Sequence, residues 1–199
     1  VLDCAVLVIS GTDGVQAHTE TLWALLRRYN VPCFVFVTKM DLANADRAAI
    51  MSNLTARLGE LCADFTLQPA ERDEAVALTG ERAMDIYART GAFSDADIAA
   101  LVAVRELVPC FFGSGLKLDG VEALLDALTR YIPPREWGGG FSAQVYKIAR
   151  DAQGKRMTFM KLTGGEISVR STIIYNSADG ARHEEKITQL RIYSGMKYD

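Results

Sequence analysis

The sequence has 199 residues, 49% of them hydrophobic, and a formal net charge of −3. That length allows one large domain, or one domain and part of a second. The near-balanced charge argues against a wholesale polyanion binder, and no apolar run of about 20 residues is present to cross a membrane.

The chain opens without Met on "VLDCAVLVIS", already strand-like, and reads as a fragment whose upstream part is missing. Three apolar runs, 4–9, 32–37 and 108–112, have the continuous hydrophobicity of parallel strands buried on both faces. A helix is expected over about 15–29, with Asp13 and Gln16 as a capping box and Leu22, Leu25, Leu26 and Tyr29 as its apolar face. A second is expected over about 44–62 on a stripe of Ile50, Leu54, Leu58 and Leu61. A long excursion over about 64–106 holds 9 Asp/Glu against 4 Lys/Arg and reads as two or three short helices, one of them capped by Ser94 with Asp97. A last helix is expected over about 120–131, on Val121, Leu124, Leu125 and Leu128.

Two prolines and three glycines in 131–142 mark a linker, after which the period changes to two. The expected fold class is therefore α/β, a doubly wound parallel sheet over 1–134 with a helical insertion at about 64–106. A linker at 135–141 leads to an all-β, barrel-like module over 142–199 that is expected to be incomplete. Charge divides the same way: 12 Lys/Arg against 19 Asp/Glu before residue 142, and 10 against 6 from there on. Lys147, Arg150, Lys155, Arg156 and Lys161 could form a basic surface facing phosphates, or solvated outward positions of an alternating sheet.

Cys4, Cys33, Cys62 and Cys110 show no CxxC spacing, and three lie in or beside apolar runs. They are expected as reduced core cysteines of a cytosolic protein. His18 and His183 have no acid or cysteine at ligand spacing, and Trp23 and Trp137 are expected to pack.

The chemistry concentrates at strand ends. In an open α/β sheet, ligands bind beyond the carboxyl ends of the strands. The run "FVFVTKMD" ends there on Thr38, Lys39 and Asp41; the next buried strand ends on Ser114, Gly115 and Leu116. A carboxylate offers two acceptor oxygens, and guanine offers two adjacent donors, N1–H and the 2-amino group. Adenine has neither, so a carboxylate here would select guanine. Lys39 could lay its stem along the ring while its ammonium stays wet, and a backbone N–H of the 114–116 turn could meet O6. Taken alone, TKMD could equally be a polar strand cap.

With these motifs in view, the segment resembles translational GTPases of the elongation factor G group. There the guanine motif is Asn-Lys-x-Asp, followed by a Ser-Ala-Lys or Ser-Ala-Leu loop. The chain has Thr38-Lys39-Met40-Asp41 and Ser114-Gly115-Leu116 in these places. Gly14, Val15, Gln16 and Thr19 match the group's stretch after switch II, and "FSAQVYKI" with "GKRMTFMKLTGGEISVRSTI" is similar to the start of its second, β-barrel domain. Seventy-two residues, 42–113, separate Asp41 from Ser114; this short insertion looks most like the ribosomal protection proteins of tetracycline resistance. Elongation factor G itself, release factor three, a housekeeping paralogue and an unrelated α/β binding protein are the alternatives.

The resemblance implies GTP or GDP as ligand, with magnesium in the full-length parent only, a ribosomal partner met partly through the second domain, and a cytoplasmic location. It implies that the strand at 4–9 lacks its usual neighbour, so that this edge invites self-association. It also implies two departures. Thr38 replaces an Asn whose amide ties the loop to the phosphate loop, leaving a looser loop or one that relies on water. Gly115 replaces an Ala whose backbone N–H is the part used. The sequence contains no GxxxxGK[ST] and no Asp-x-Pro-Gly, and phosphoryl transfer depends on those parts. This polypeptide by itself is therefore expected to hydrolyse no GTP; a protein-dependent phosphate-release rate from purified material would contradict that.

Overall fold

The computed structural model describes residues 2–134, 136–176, 179–195 and 197–198. The chain divides into two compact units, Leu2–Pro134 and Arg135–Asp199.

The first unit alternates strands and helices: β1 (Ala5–Ser10), α1 (Ala17–Arg28), β2 (Cys33–Thr38), α2 (Arg47–Leu58), β3 (Cys62–Asp64), α3 (Pro69–Ala77), α4 (Glu81–Thr90), α5 (Asp95–Ala103), β4 (Val108–Phe112) and α6 (Val121–Tyr131). The four strands form one parallel sheet in the order β1-β2-β4-β3. The continuous apolar runs follow from burial on both faces. Phe34, Phe36 and Phe111 enter a core with Val76, Ile98, Leu101 and Leu124 from α3, α5 and α6. Cys33, Val35, Val37 and Cys110 enter the opposite core with Trp23, Ile50 and Leu54 from α1 and α2. The expected α/β class and helical insertion are both observed, the insertion as three helices.

Several local expectations need correction. Gln16 caps α1 without any side-chain hydrogen bond, so the Asp13–Gln16 box is not formed. Leu22, Leu25 and Tyr29 are exposed, and Trp23 with Leu26 makes the buried contact. The reason lies in the sheet: among the described residues β1 pairs on one side only, so α1 is covered on one flank only. The helix expected over 44–62 is shorter, ending at Leu58, and the chain then forms β3, three residues long. The α2 N-cap is Asp46, whose carboxylate accepts from the Ala49 N–H. In the last helix Leu125 is exposed, and Ala127 and Tyr131 are buried with Leu124.

Cys33, Cys62 and Cys110 are buried, as their apolar settings led one to expect. Burial pushes the Cys33 thiol up to about 12, and a hydrogen bond with Cys62, followed by burial, pushes Cys110 up as well. Such thiols stay protonated and behave as small hydrophobes.

The second unit is all-β. It consists of the antiparallel pairs β5 (Ser142–Arg150) with β6 (Arg156–Gly164), β7 (Thr172–Asn176) with β8 (Arg182–Lys186), and β9 (Tyr193–Ser194) with β10 (Lys197–Tyr198). Among the described residues these are three separate two-stranded sheets, so a closed barrel is not drawn. Phe159, Tyr193 and Tyr198 pack in sequence at centroid distances of 5.4 and 5.3 Å and join the first pair to the last.

The Ser94 cap is fully formed. Its hydroxyl accepts from the Asp97 N–H, and the Asp97 carboxylate accepts from the Ser94 N–H. Replacing Ser94→Ala removes one half of the box. It is expected to destabilise the first unit by about 1 kcal/mol in urea denaturation, with an unchanged slope.

Candidate functional site

The carboxyl ends of β2 and β4 are adjacent because those strands pair in register, Val35 with Cys110 through Val37 with Phe112. The loops leaving them are joined by further hydrogen bonds. Gly113 N–H donates to Val37 C=O at 2.9 Å, and Met40 N–H donates to Gly113 C=O at 3.0 Å. The ladder thus continues beyond both strands into the loops.

A side chain then ties the loops together. The Thr38 hydroxyl oxygen accepts from the Gly115 N–H at 3.1 Å. This tie is to the 114–116 turn, a different partner from the phosphate loop that the expected looseness concerned. The same bond engages the backbone N–H expected to meet guanine O6.

Lys39 has φ of 64°, a left-handed conformation that non-glycine residues rarely adopt. It reverses the chain, and Leu42 N–H donates back to Lys39 C=O at 3.2 Å. The turn brings Asp41 to the 114–117 loop, where its Oδ2 lies 3.2 Å from Lys117 Nζ. The Ser114 hydroxyl, and then the Lys117 ammonium, hold the Asp41 carboxyl below the usual carboxylate range, so it is ionised at neutral pH. Ser114 is buried and also accepts from the Lys117 N–H at 3.3 Å. The Leu116 side chain is 91% exposed.

The 113–120 loop is shaped by two glycines. A Cβ on Gly113 would lie 2.0 Å from the Asp119 carbonyl oxygen; one on Gly120, at φ of 72°, would lie 2.6 Å from the Phe112 carbonyl oxygen. Ser114 N–H closes the loop on Asp119 C=O at 3.0 Å.

The structure therefore brings Thr38, Asp41, Ser114 and Gly115 together at one rim, with Lys39 shaping the turn there and Leu116 left exposed on the loop. Two features there were not read from the sequence. Lys117 is one; nothing local marks it as a partner of a residue 76 positions earlier. The other is a clamp at the far end of the Asp41 loop. Arg47 Nε donates to Asp64 Oδ2 at 2.7 Å, Arg47 also reaches the Thr66 hydroxyl, and its guanidinium lies 5.1 Å from the Phe112 ring centroid. Asp64 Oδ1 in turn accepts from the Thr66 N–H at 2.8 Å. Beside Thr38 and Lys39, a cleft of about 350 Å³ opens between the ends of β1 and β2, lined also by Ser10, Asp13, Gly14 and Gln16.

The basic residues of the second unit do not gather on one surface. Lys147 pairs with Phe159 and Arg150 pairs with Arg156, and alternation along each strand puts 147 and 150, and likewise 156 and 161, on opposite faces. Lys147 and Lys161 fall on one face of the hairpin, Arg150 and Arg156 on the other. Lys147 lies 5.2 Å from the Phe159 ring and Lys161 6.0 Å from the Trp137 ring.

The first unit is thus a parallel α/β sheet with an acid at the end of one strand facing a serine-glycine turn at the end of its neighbour. Residues 1–134 match the family model described as the elongation factor Tu GTP binding domain, and the chain belongs to that family. It is 29% identical over 212 residues to the tetracycline resistance protein TetW of Butyrivibrio fibrisolvens, covering 98% of this chain and 33% of that protein. It is 28% identical over 225 residues to the oxytetracycline resistance protein of Streptomyces rimosus, covering 97% of this chain and 34% of that protein. A crystal structure from Thermus thermophilus superposes with a TM-score of 0.69 at 21% identity, over 98% of this chain and 36% of that one. The chain spans about a third of the length of the curated relatives it matches.

Thr38→Val keeps the shape of the side chain and removes the acceptor for Gly115. The expected result is faster hydrogen exchange of the Gly115 amide and a loss of about 1 kcal/mol, both largely restored by Thr38→Ser. Equal protection in the valine variant would show that the two loops are not coupled through this hydroxyl.

Proposed function

We propose that the chain is the base-recognition part, with the start of the second domain, of a ribosome-associated translational GTPase of the ribosomal protection type. The observation that carries this is the convergence of Asp41, Thr38 and the Ser114–Lys117 turn, set beside relatives named for tetracycline and oxytetracycline resistance. Asp41 would accept from guanine N1–H and the 2-amino group, Lys39 would cover the ring with its stem, and the backbone of 114–116 would meet O6. Since Gly115 N–H already donates to Thr38, it would have to exchange that bond to serve as the O6 donor. Ribosome binding, hydrolysis with magnesium in the parent, and a cytoplasmic site of action belong to the same proposal.

Guanine discrimination is the test. Titration of this chain with GDP and ADP, followed by amide NMR, should give shifts at 38–41 and 114–117 with GDP and not with ADP. Asp41→Ala should lower GDP affinity about 10- to 100-fold, the effect of removing an ionised hydrogen-bond partner. Equal binding of both nucleotides by the unmodified chain would overturn the reading.

The edge of the sheet belongs to the proposal as well. β1 pairs on one side only among the described strands, and Val8 on it is 64% exposed. Such an edge recruits another strand, and we propose that a second copy supplies it. Light scattering at rising concentration should show a dimer that Val8→Lys weakens; a monomer throughout would contradict this.

A further inference from the structure

We propose that Lys117 is a specificity-determining residue that competes with guanine for Asp41, so that it sets how strongly the site prefers a 2-amino purine. The proposal rests on the guanine-pocket reading given above.

The Lys117 ammonium lies 3.2 Å from Oδ2 of Asp41, one of the two oxygens that a guanine edge needs. An ammonium has three donors and no acceptor. A guanine approaching Asp41 brings two further donors, so its 2-amino group meets the ammonium donor to donor. The two can share the lone pairs of that oxygen only with crowding and mutual repulsion, so each weakens the hold of the other. A hypoxanthine base presents N1–H alone and needs only one carboxylate oxygen, so it can bind while the ion pair persists.

The pair is built to yield. The Lys117 side chain is 63% exposed, while that of Asp41 is 22% exposed. The acid is therefore the more enclosed partner, and the lysine is the one that can swing into water. Its backbone is fixed independently, through the Lys117 N–H to Ser114 Oγ, so opening the pair leaves the turn intact. Exposed pairs of this kind contribute little to stability. The competition is accordingly a soft bias, worth a few-fold in affinity.

The experiment compares GDP with IDP, which differ only in the 2-amino group, on the whole chain and on Lys117→Ala and Lys117→Arg, with affinities from amide NMR titration. Lys117→Ala should raise the ratio of GDP to IDP affinity about 2- to 5-fold, mainly through tighter GDP. Lys117→Arg, which keeps the cation, should return the ratio toward that of the unmodified chain. An unchanged or lower ratio in Lys117→Ala, or an arginine variant that behaves like alanine, overturns the role of Lys117 while leaving the pocket standing. Absence of shifts at 38–41 and 114–117 with either nucleotide in all three proteins removes the pocket itself, and this proposal with it.

Discussion

The candidate site depends on one bond between two loops that the chain separates widely: the Gly115 N–H donating to the Thr38 hydroxyl at 3.1 Å. Parallel pairing of β2 with β4 brings the strand ends together, but pairing alone does not fix the side chains beyond them. The threonine does this from the last position of β2. With that bond in place, the left-handed turn at Lys39 aims Asp41 at the 114–117 loop and not into open solvent. The bond adds a side-chain tie to the Met40–Gly113 and Gly113–Val37 backbone bonds and the Asp41–Lys117 pair that join the same loops.

Around this tie the fold supplies rigidity from both sides. Phe34, Phe36 and Phe111 anchor one face of the sheet under α3, α5 and α6, while Phe112 with valines and cysteines anchors the other under α1 and α2. Gly113 and Gly120 let the 113–120 loop close tightly enough to present Ser114 to Asp41. The Arg47–Asp64–Thr66 clamp holds the start of α2, and so the far end of the Asp41 loop. Each of these acts on position. A carboxylate that discriminates between purines by two hydrogen bonds needs such positioning, because misplacement by a fraction of a hydrogen-bond length forfeits both.

What could be read from the sequence follows the range of the interactions. β2 and β4 were legible because burial on both faces leaves them continuously apolar, β1 because its run is apolar although Val8 is exposed, and the Ser94–Asp97 box because it spans four residues. The strand Cys62–Asp64 was not legible, since three residues carry no period. The buried face of α1 was misjudged, because its pattern suggested a helix covered across Leu22, Leu25 and Tyr29, whereas the one-sided pairing of β1 among the described residues leaves that flank open. In the site, residue types announced the chemistry of Asp41 and the Ser114 turn. The bond from Gly115 to Thr38 and the Lys117–Asp41 pair join residues 77 and 76 positions apart, and only the register of β2 on β4 brings them into contact. The basic hairpin shows the reverse case: its cations look like one surface in the sequence, but alternation along the two strands puts Lys147 and Lys161 on one face and Arg150 and Arg156 on the other.

The account is tested most directly by a crystal structure of this chain soaked with GDP. It predicts the guanine edge on the Asp41 carboxylate, with N1 and the 2-amino nitrogen each about 3 Å from an oxygen, O6 facing the backbone of 114–116, and the Lys117 ammonium displaced from Oδ2. A guanine bound anywhere else on the molecule, with the Asp41–Lys117 pair still closed, would contradict it.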